Sequence, residues 1–446
     1  MLNEMTHQLQ PADVTRPVTM ERTLGLWKVT ASGVGIIVGA GIYVLIGDAA
    51  GLAGPRVWLS FVIAATLSAL SALSYAELAS MYPKAGAEFE YTSHVFPAWL
   101  SFLIGWIMFV GLIVASAAVA LGFGQYLQNF VTLPPTFGAL ALLMLIAALA
   151  LSGIRRSSTV IVALSLLQVG GLLLVIAVGL PDIGSVNLFA GNHGGGGLVS
   201  AAALVFFAFI GFDEVTTLSE ETKNPTRTIP RALLLALALS TLLYIAVAIS
   251  AVSVLGANAL STSPHPLADV LDHKFGSNGG ALVAVIALVA TANTTLLCLT
   301  ASSRLQYGMA RAGALPRTWG QLGPASRAPR VAIGISVIGA AIFIAIGKLD
   351  VVASVTNVAI YLVFIAVNIA VVILRFTQPD LDRPFRSPLS IKRVPLMPIL
   401  GLLAVFLMFP SLPKSSLVLG AVLCLVGIAV YFVSTGRRSA QRARLN

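Results

Sequence analysis

Apolar residues fill stretches of about 17 to 25 positions, the length that crosses the hydrocarbon core of a bilayer as a helix, and polar residues gather in the connections between them. Twelve such stretches are legible: Lys28–Ile46, Val57–Ala79, Ala98–Leu121, Phe137–Leu151, Thr159–Leu180, Val199–Leu218, Ala232–Val254, Ala281–Ala301, Val331–Ile346, Val351–Leu374, Pro395–Leu412 and Ser416–Val433. The first and sixth are interrupted near their middles by flexible sequence, around Gly39-Ala40-Gly41 and Phe209-Ile210-Gly211. A helix broken inside a bilayer exposes N–H and C=O groups that lipid cannot satisfy, so each break must face protein, water, an ion or a solute. The pattern predicts an all-α integral membrane protein with a midplane binding site at the two breaks.

Composition agrees with the membrane assignment: of 446 residues, 57% are hydrophobic and only 10% charged. The net charge of +10 calls for no nucleic-acid partner, because basic residues collect on cytoplasmic loops. With the N-terminus inside, all but Arg56, Lys274, Lys348 and Lys414 of the 27 Lys and Arg fall on the cytoplasmic side. Both termini are therefore expected in the cytoplasm of a cell-membrane protein. Met1–Arg22 is polar and lacks the apolar core of a cleaved signal, so the first span is expected to stay as an anchor. Cys298 and Cys424 lie within spans, without the spacing of a metal or disulfide site. The expected organisation is a cytoplasmic segment 1–27, one transmembrane domain 28–433 and a basic tail 434–446. The run Gly194–Gly197 reads as a loop leading into the sixth span, since no Gly-Lys-Ser/Thr follows to make a phosphate cradle.

The second break recurs one block of five helices after the first. An odd number of helices per block brings the second block in from the opposite face, which suggests a five-plus-five inverted repeat of 28–180 and 199–374, with helices eleven and twelve (395–433) outside it. At the first break, the free N–H groups opening the second half-helix suit a carboxylate; at the second, terminal carbonyls suit an ammonium. A free amino acid supplies both charges. Glycines in membrane helices also serve close packing, and Phe206, Phe207 and Phe209 fit core or lipid contacts as well as a gate.

Leu24-Gly25-Leu26-Trp27-Lys28 followed by Gly33–Val44 resembles the start of the first helix in the amino acid, polyamine and organocation superfamily. Phe206–Asp213, continuing through Glu220-Glu221-Thr222-Lys223-Asn224-Pro225 to Ile229-Pro230-Arg231, resembles its cationic amino acid transporter family, as do Ala301–Leu305, Tyr307–Arg311 and Gly313–Pro316. The resemblance implies a LeuT-type fold with discontinuous helices 1 and 6. It also implies Ile37, Gly39, Ala40 and Gly41 at the substrate carboxylate, Phe207 as a gate, Ala208, Ile210 and Gly211 at the ammonium and side-chain pocket, and Asp213 just beyond.

Three positions depart from that family's pattern. A lysine carried in the fifth helix by some bacterial members is matched here by Gln168, which cannot take up a proton near physiological pH. In the first cytoplasmic loop, Ala87 and Phe89 replace a glycine and a tyrosine in a segment expected to re-enter or gate. Glu214 follows Asp213, making an acidic pair at a depth where carboxyl groups are functional candidates by default. These two, with Gln168 and Glu220, are the candidates for coupling or gating. A gate salt bridge is the other reading of the pair, and an ion-pair network with Lys223, Arg227 and Arg231 that of Glu220 and Glu221. His7, His94, His193, His265 and His273 fall in loops or tails.

The expectation is a secondary transporter of L-amino acids by alternating access, coupled to protons. Amino acid exchange or facilitated diffusion stays open because of Gln168, as do a polyamine or amine substrate and an amino acid-sensing transceptor. No nucleophile with a base, metal-ligand pair or nucleotide motif points to an enzyme, a cofactor or an ATP-driven pump.

Overall fold

The computed structural model describes residues 22, 24–83, 87–152, 157–190, 195–323 and 328–443. The first apolar stretch folds as two helices, α1 (Leu26–Ile37) and α2 (Ala40–Ala53). There follow α3 (Val57–Met81), the short α4 (Ala87–Ser93), α5 (Ala98–Leu127), α6 (Pro135–Ser152), α7 (Ser157–Gly179) and α8 (Gly195–Val205). After two 3₁₀ segments, Phe206–Phe209 and Asp213–Glu221, come α9 (Pro225–Thr262), α10 (Pro266–Phe275), α11 (Ser277–Arg311) and α12 (Arg330–Ile344). The chain closes with α13 (Leu349–Thr377), α14 (Leu396–Met408) and α15 (Lys414–Ala443). Among the described residues, β pairing is limited to a minimal antiparallel hairpin, Ser390–Ile391 against Val394–Pro395 between α13 and α14, and a parallel bridge of Leu24 with Thr222.

Every one of the twelve apolar stretches lands on a helix or an interrupted helix. Among the described residues, eight helical runs are long and apolar enough to cross a membrane, and four shorter apolar helices accompany them. The protein is a multi-pass membrane protein. The apolar window of α5 is 94% buried and that of α15 only 17%, so α5 is a central strut while α15 shows its apolar face to the surroundings. Exposed Leu403, Leu407, Val418, Leu425 and Phe432 on α14 and α15 are what a lipid-facing surface requires.

Buried polar side chains tie these helices together. Asn368 of α13 accepts from Ser74 Oγ (2.6 Å) and donates to Ser71 Oγ (3.1 Å), both on α3. Glu77 of α3, 1% exposed, receives Arg375 of α13 in a two-pronged pair, Nε to Oε1 at 2.8 Å and Nη2 to Oε2 at 2.7 Å. Arg383 Nε approaches Oε1 at 3.4 Å, and the Ser387 N–H donates to Oε2 at 2.9 Å. One carboxylate thereby anchors the connection between α13 and α14 to α3.

The expected loop at Gly194–Gly197 is corrected: Gly194 lies outside the described residues, and Gly195–Gly197 open α8. Packing of α8 on α2 and α3 overrides the poor intrinsic helicity of glycine. His7 and His193 lie outside the described residues and His94 and His265 are in connections, but His273, expected in a loop, lies in the last turn of α10.

His265 is half-buried and ion-paired at its Nδ1 with Asp269, 2.7 Å away. That hydrogen bond outweighs burial and raises the imidazole's pKa. Burial pushes the Asp269 carboxyl up, but hydrogen bonds to His265 and Ser263 hold it below its ordinary value. The histidine's stabilisation is full below its unfolded pKa and lost as pH rises through the raised value; the aspartate's is lost as pH falls through the lowered one. His265→Gln should therefore flatten the fall in Tm between about pH 6 and pH 8, removing no more than about 1 kcal/mol. Thermal unfolding of the two proteins across that range measures it.

Candidate functional site

The first break lies one residue earlier than the glycine triplet suggests. α1 ends at Ile37, Val38 (ψ 67°) and Gly39 (φ −98°, ψ −152°) leave helical geometry, and Ala40 and Gly41 already belong to α2. The Ala40 N–H donates to Thr294 Oγ1 of α11 at 3.2 Å. A Cβ at Gly39 would sit 2.7 Å from the same oxygen, so this backbone touches α11 directly. The remaining N–H groups of α2's first turn have no partner within the helix and carry its positive dipole end.

The second break is a longer interruption. α8 tightens into the 3₁₀ turn Phe206–Phe209, Ile210 is extended (ψ 138°), Gly211 is left-handed (φ 109°), and the chain resumes as 3₁₀ helix at Asp213. Gly211's conformation is one that side-chain-bearing residues rarely adopt, which explains glycine there. Its N–H donates to Asp213 Oδ1 at 3.2 Å.

The two breaks are in contact. A Cβ on Gly41 would lie 2.6 Å from Ala208 Cα, and one on Gly211 2.9 Å from Ile36 Cγ2. Tyr244 of α9, which sequence reasoning missed, joins them: its buried hydroxyl lies 2.7 Å from the Ile37 carbonyl and 2.9 Å from that of Ala208. Asn357 of α13 donates to the carbonyls of Ala203 (2.7 Å) and Leu204 (3.3 Å), where α8 ends. Of the three phenylalanines, Phe206 packs on Tyr361 and Phe364, and Phe209 on Tyr244. Phe207, 8% exposed against 0% for the others, forms no ring pair among the described residues.

Below the second break lies a buried acidic cluster. Asp213 and Glu88 are both buried, 1% and 4% exposed, on two segments packed against each other, the 3₁₀ helix Asp213–Glu221 and α4. Two carboxyl groups buried near each other carry charge together only at a high cost. Glu88 was not foreseen, although Glu88, Tyr91 and Thr92 are spaced as one helical face and all three are buried. The segment expected to re-enter is thus the short helix α4, which delivers a carboxyl to Asp213; Lys84–Gly86 lie outside the described residues. Glu214 is half-buried in the field of Arg304. The side chain of Glu220, like that of Glu221, lies outside the described residues.

Gln168 of α7 is fully buried and its backbone carbonyl accepts the Tyr43 hydroxyl at 2.6 Å, while the Tyr126 hydroxyl donates to the Tyr43 carbonyl. Neither amide atom of the Gln168 side chain has a hydrogen-bond partner, and the same is true of Asn293, next to Thr294. Buried amides left without partners are rare enough to call for a reason.

Two interrupted helices in contact inside an apolar helical bundle are the arrangement of a membrane transporter's solute site. The chain belongs to the amino acid permease family, whose profile matches residues 24–442, within the amino acid, polyamine and organocation superfamily. It is 31% identical over 443 residues to a branched-chain amino acid permease of Bacillus subtilis, covering 94% of each chain. A methylthioribose transporter of the same organism is 30% identical, over 94% of this chain and 95% of its own. A vacuolar cationic amino acid transporter of Arabidopsis thaliana is 32% identical over 82% of this chain and 65% of its own length. Amino acid transport is the activity of this family, and with it of this chain; the family and these relatives indicate a transporter and not an enzyme.

Proposed function

We propose that this permease is a secondary transporter that carries an L-amino acid through twelve crossings, both termini cytoplasmic, by alternating access between five-plus-five inverted repeats. The observation that carries the reading is the bridge at Tyr244, whose hydroxyl reaches a carbonyl of each break. The substrate carboxylate meets the N–H groups at Gly39, Ala40 and Gly41, and its ammonium meets the carbonyls around Ile37 and Ala208. Each carbonyl has a second lone pair, so Tyr244 and an ammonium are compatible there. Phe207 closes over the substrate, and Ile210 and Gly211 line its side-chain pocket.

We assign proton coupling to the Asp213–Glu88 pair. Gln168 cannot titrate, whereas two neighbouring buried carboxyl groups change charge when the cytoplasmic half of the site opens to water. Purified protein in liposomes, given a labelled amino acid panel with and without an inward proton gradient, tests this. Gradient-stimulated uptake that Asp213→Asn and Glu88→Gln each abolish, with exchange retained, is the expected result. Uptake that needs only internal amino acid, in the parent protein, would make the chain an exchanger. The methylthioribose relative favours a second reading, since that sugar has neither carboxylate nor ammonium. Its competition against leucine, alanine and arginine, beside that of putrescine, separates the two.

A further inference from the structure

Four arginines surround a cavity of about 330 Å³ at the end of α13, remote in sequence from either break: Arg375, Arg383, Arg386 and Arg393, with Asp380 and Asp382 also in its wall. Glu77, beneath it, compensates one positive charge through its paired bonds with Arg375. Among the described residues, neither Asp380 nor Asp382 forms an ion pair with these guanidinium groups. Arg383 shares Glu77 with Arg375, its Nε 3.4 Å from Oε1, and is otherwise braced by carbonyls, those of Pro379 and Leu381 on Nη1 and those of Leu374 and Gln378 on Nη2. Its guanidinium is held in place but not neutralised by those carbonyls. Burial, helped by the neighbouring Arg375 and Arg386, outweighs the attraction of Glu77 and makes its positive charge harder to keep than an ordinary arginine's.

The decisive atom is Arg375 Nη1. Arg375 is 3% exposed, its Nε and Nη2 are committed to Glu77, and Nη1 is buried with no hydrogen-bond partner. A buried donor on a charged group left unpaired is destabilising unless an acceptor arrives. Arg386 and Arg393 are exposed across the cavity. Planar guanidinium forks converging from several sides match the oxygens of a tetrahedral anion.

Exposed apolar side chains lie nearby in the chain. Phe376 is 51% exposed, Leu381 39%, Leu389 66% and Ile391 63%. Leu389 and Lys392 hold positive φ values of 53° and 55°, so the hairpin that carries Leu389 and Ile391 is a tight, defined turn. Cationic groups with exposed apolar side chains nearby in the chain, at the end of a membrane helix, suit a headgroup with its acyl chains beside it.

We infer that this cavity binds a phosphate-ester anion, with Arg375, Arg383, Arg386 and Arg393 on its oxygens and Leu381, with the exposed Leu389 and Ile391 of the adjoining hairpin, against the attached chains of an anionic phospholipid. A bound headgroup would brace the link from α13 to α14 against α3 through Arg375 and Glu77.

The test is native mass spectrometry of the full-length protein in detergent with phosphatidylglycerol or phosphatidylcholine added, in parallel with thermal shifts in inorganic phosphate and in chloride at equal ionic strength. Arg386→Gln with Arg393→Gln removes the two exposed arginines and leaves the buried pair intact. Arg227→Gln with Arg317→Gln removes the same charge from exposed positions elsewhere. The expected result is retention of phosphatidylglycerol over phosphatidylcholine by about tenfold or more, lost in the cavity variant and kept in the control. A Tm rise in inorganic phosphate, lost in the cavity variant without any lipid preference, would support the site with a soluble phosphate as its source. Binding of both probes unchanged in the cavity variant, or lost equally in the control, would overturn it.

Discussion

Gly41→Val is expected to reduce uptake about a hundredfold, since a misplacement on the order of 1 Å at a site of defined geometry has an effect of that size. A Cβ at Gly41 would meet Ala208 at 2.6 Å from Cα, 2.9 Å from Cβ and 3.1 Å from N. These are backbone or backbone-proximal atoms and cannot rotate aside, so α2 and the second break must separate. Separation pulls the first turn of α2 away from the Ala208 carbonyl, and the two ends of the site no longer fit one substrate. Gly170→Ala is the control, because its new Cβ meets nothing within 4 Å. Liposome uptake measured for both, with each protein monodisperse, decides the matter; full uptake by the valine variant would dissociate transport from this contact.

Glu77→Gln is expected to destabilise the fold by about 3 to 5 kcal/mol, the range for breaking a buried ion pair from one side. Arg375 would remain buried with its charge uncompensated, Arg383 would lose its nearest carboxylate, and the Ser387 N–H would keep only a neutral acceptor. Because these contacts bridge α3, α13 and the connection to α14, the expected loss is large in spite of the conservative change of shape. Thermal unfolding in a single detergent, with the variant beside the parent, measures the shift. A Tm within a degree or two of the parent would mean that water or another group compensates the arginines. Glu77 belongs to the second apolar stretch, where the sequence offered only a carboxyl near a helix end. Its partner lies 298 residues away.

The twelve apolar stretches and the two interruptions could be read without coordinates because each is a local property. A bilayer demands a fixed length of apolar helix, and a flexible triplet within one weakens it wherever the rest of the chain goes. The same logic picks out the interruption at Gly211, whereas Phe207 and Asp213 are singled out through the family resemblance. The placement of the first break at Val38–Gly39, and of Ala40 and Gly41 inside α2, depended on Thr294 of α11 supplying an acceptor for the Ala40 N–H.

What lies across the chain from these positions was decided by tertiary structure. Tyr244 is an ordinary aromatic residue in an apolar helix until packing brings its hydroxyl between the Ile37 and Ala208 carbonyls, 207 and 36 residues distant. Glu88 reads as a loop carboxyl until α4 turns it inward toward the segment of Asp213. Gly195–Gly197 read as a loop until neighbouring helices give their backbone a reason to coil. Periodicity and chain length encode which segments enter the membrane and where they are weak; a hydrogen-bond partner far away in sequence leaves no trace in either, because its selection is made by side-chain packing among helices that the sequence only orders.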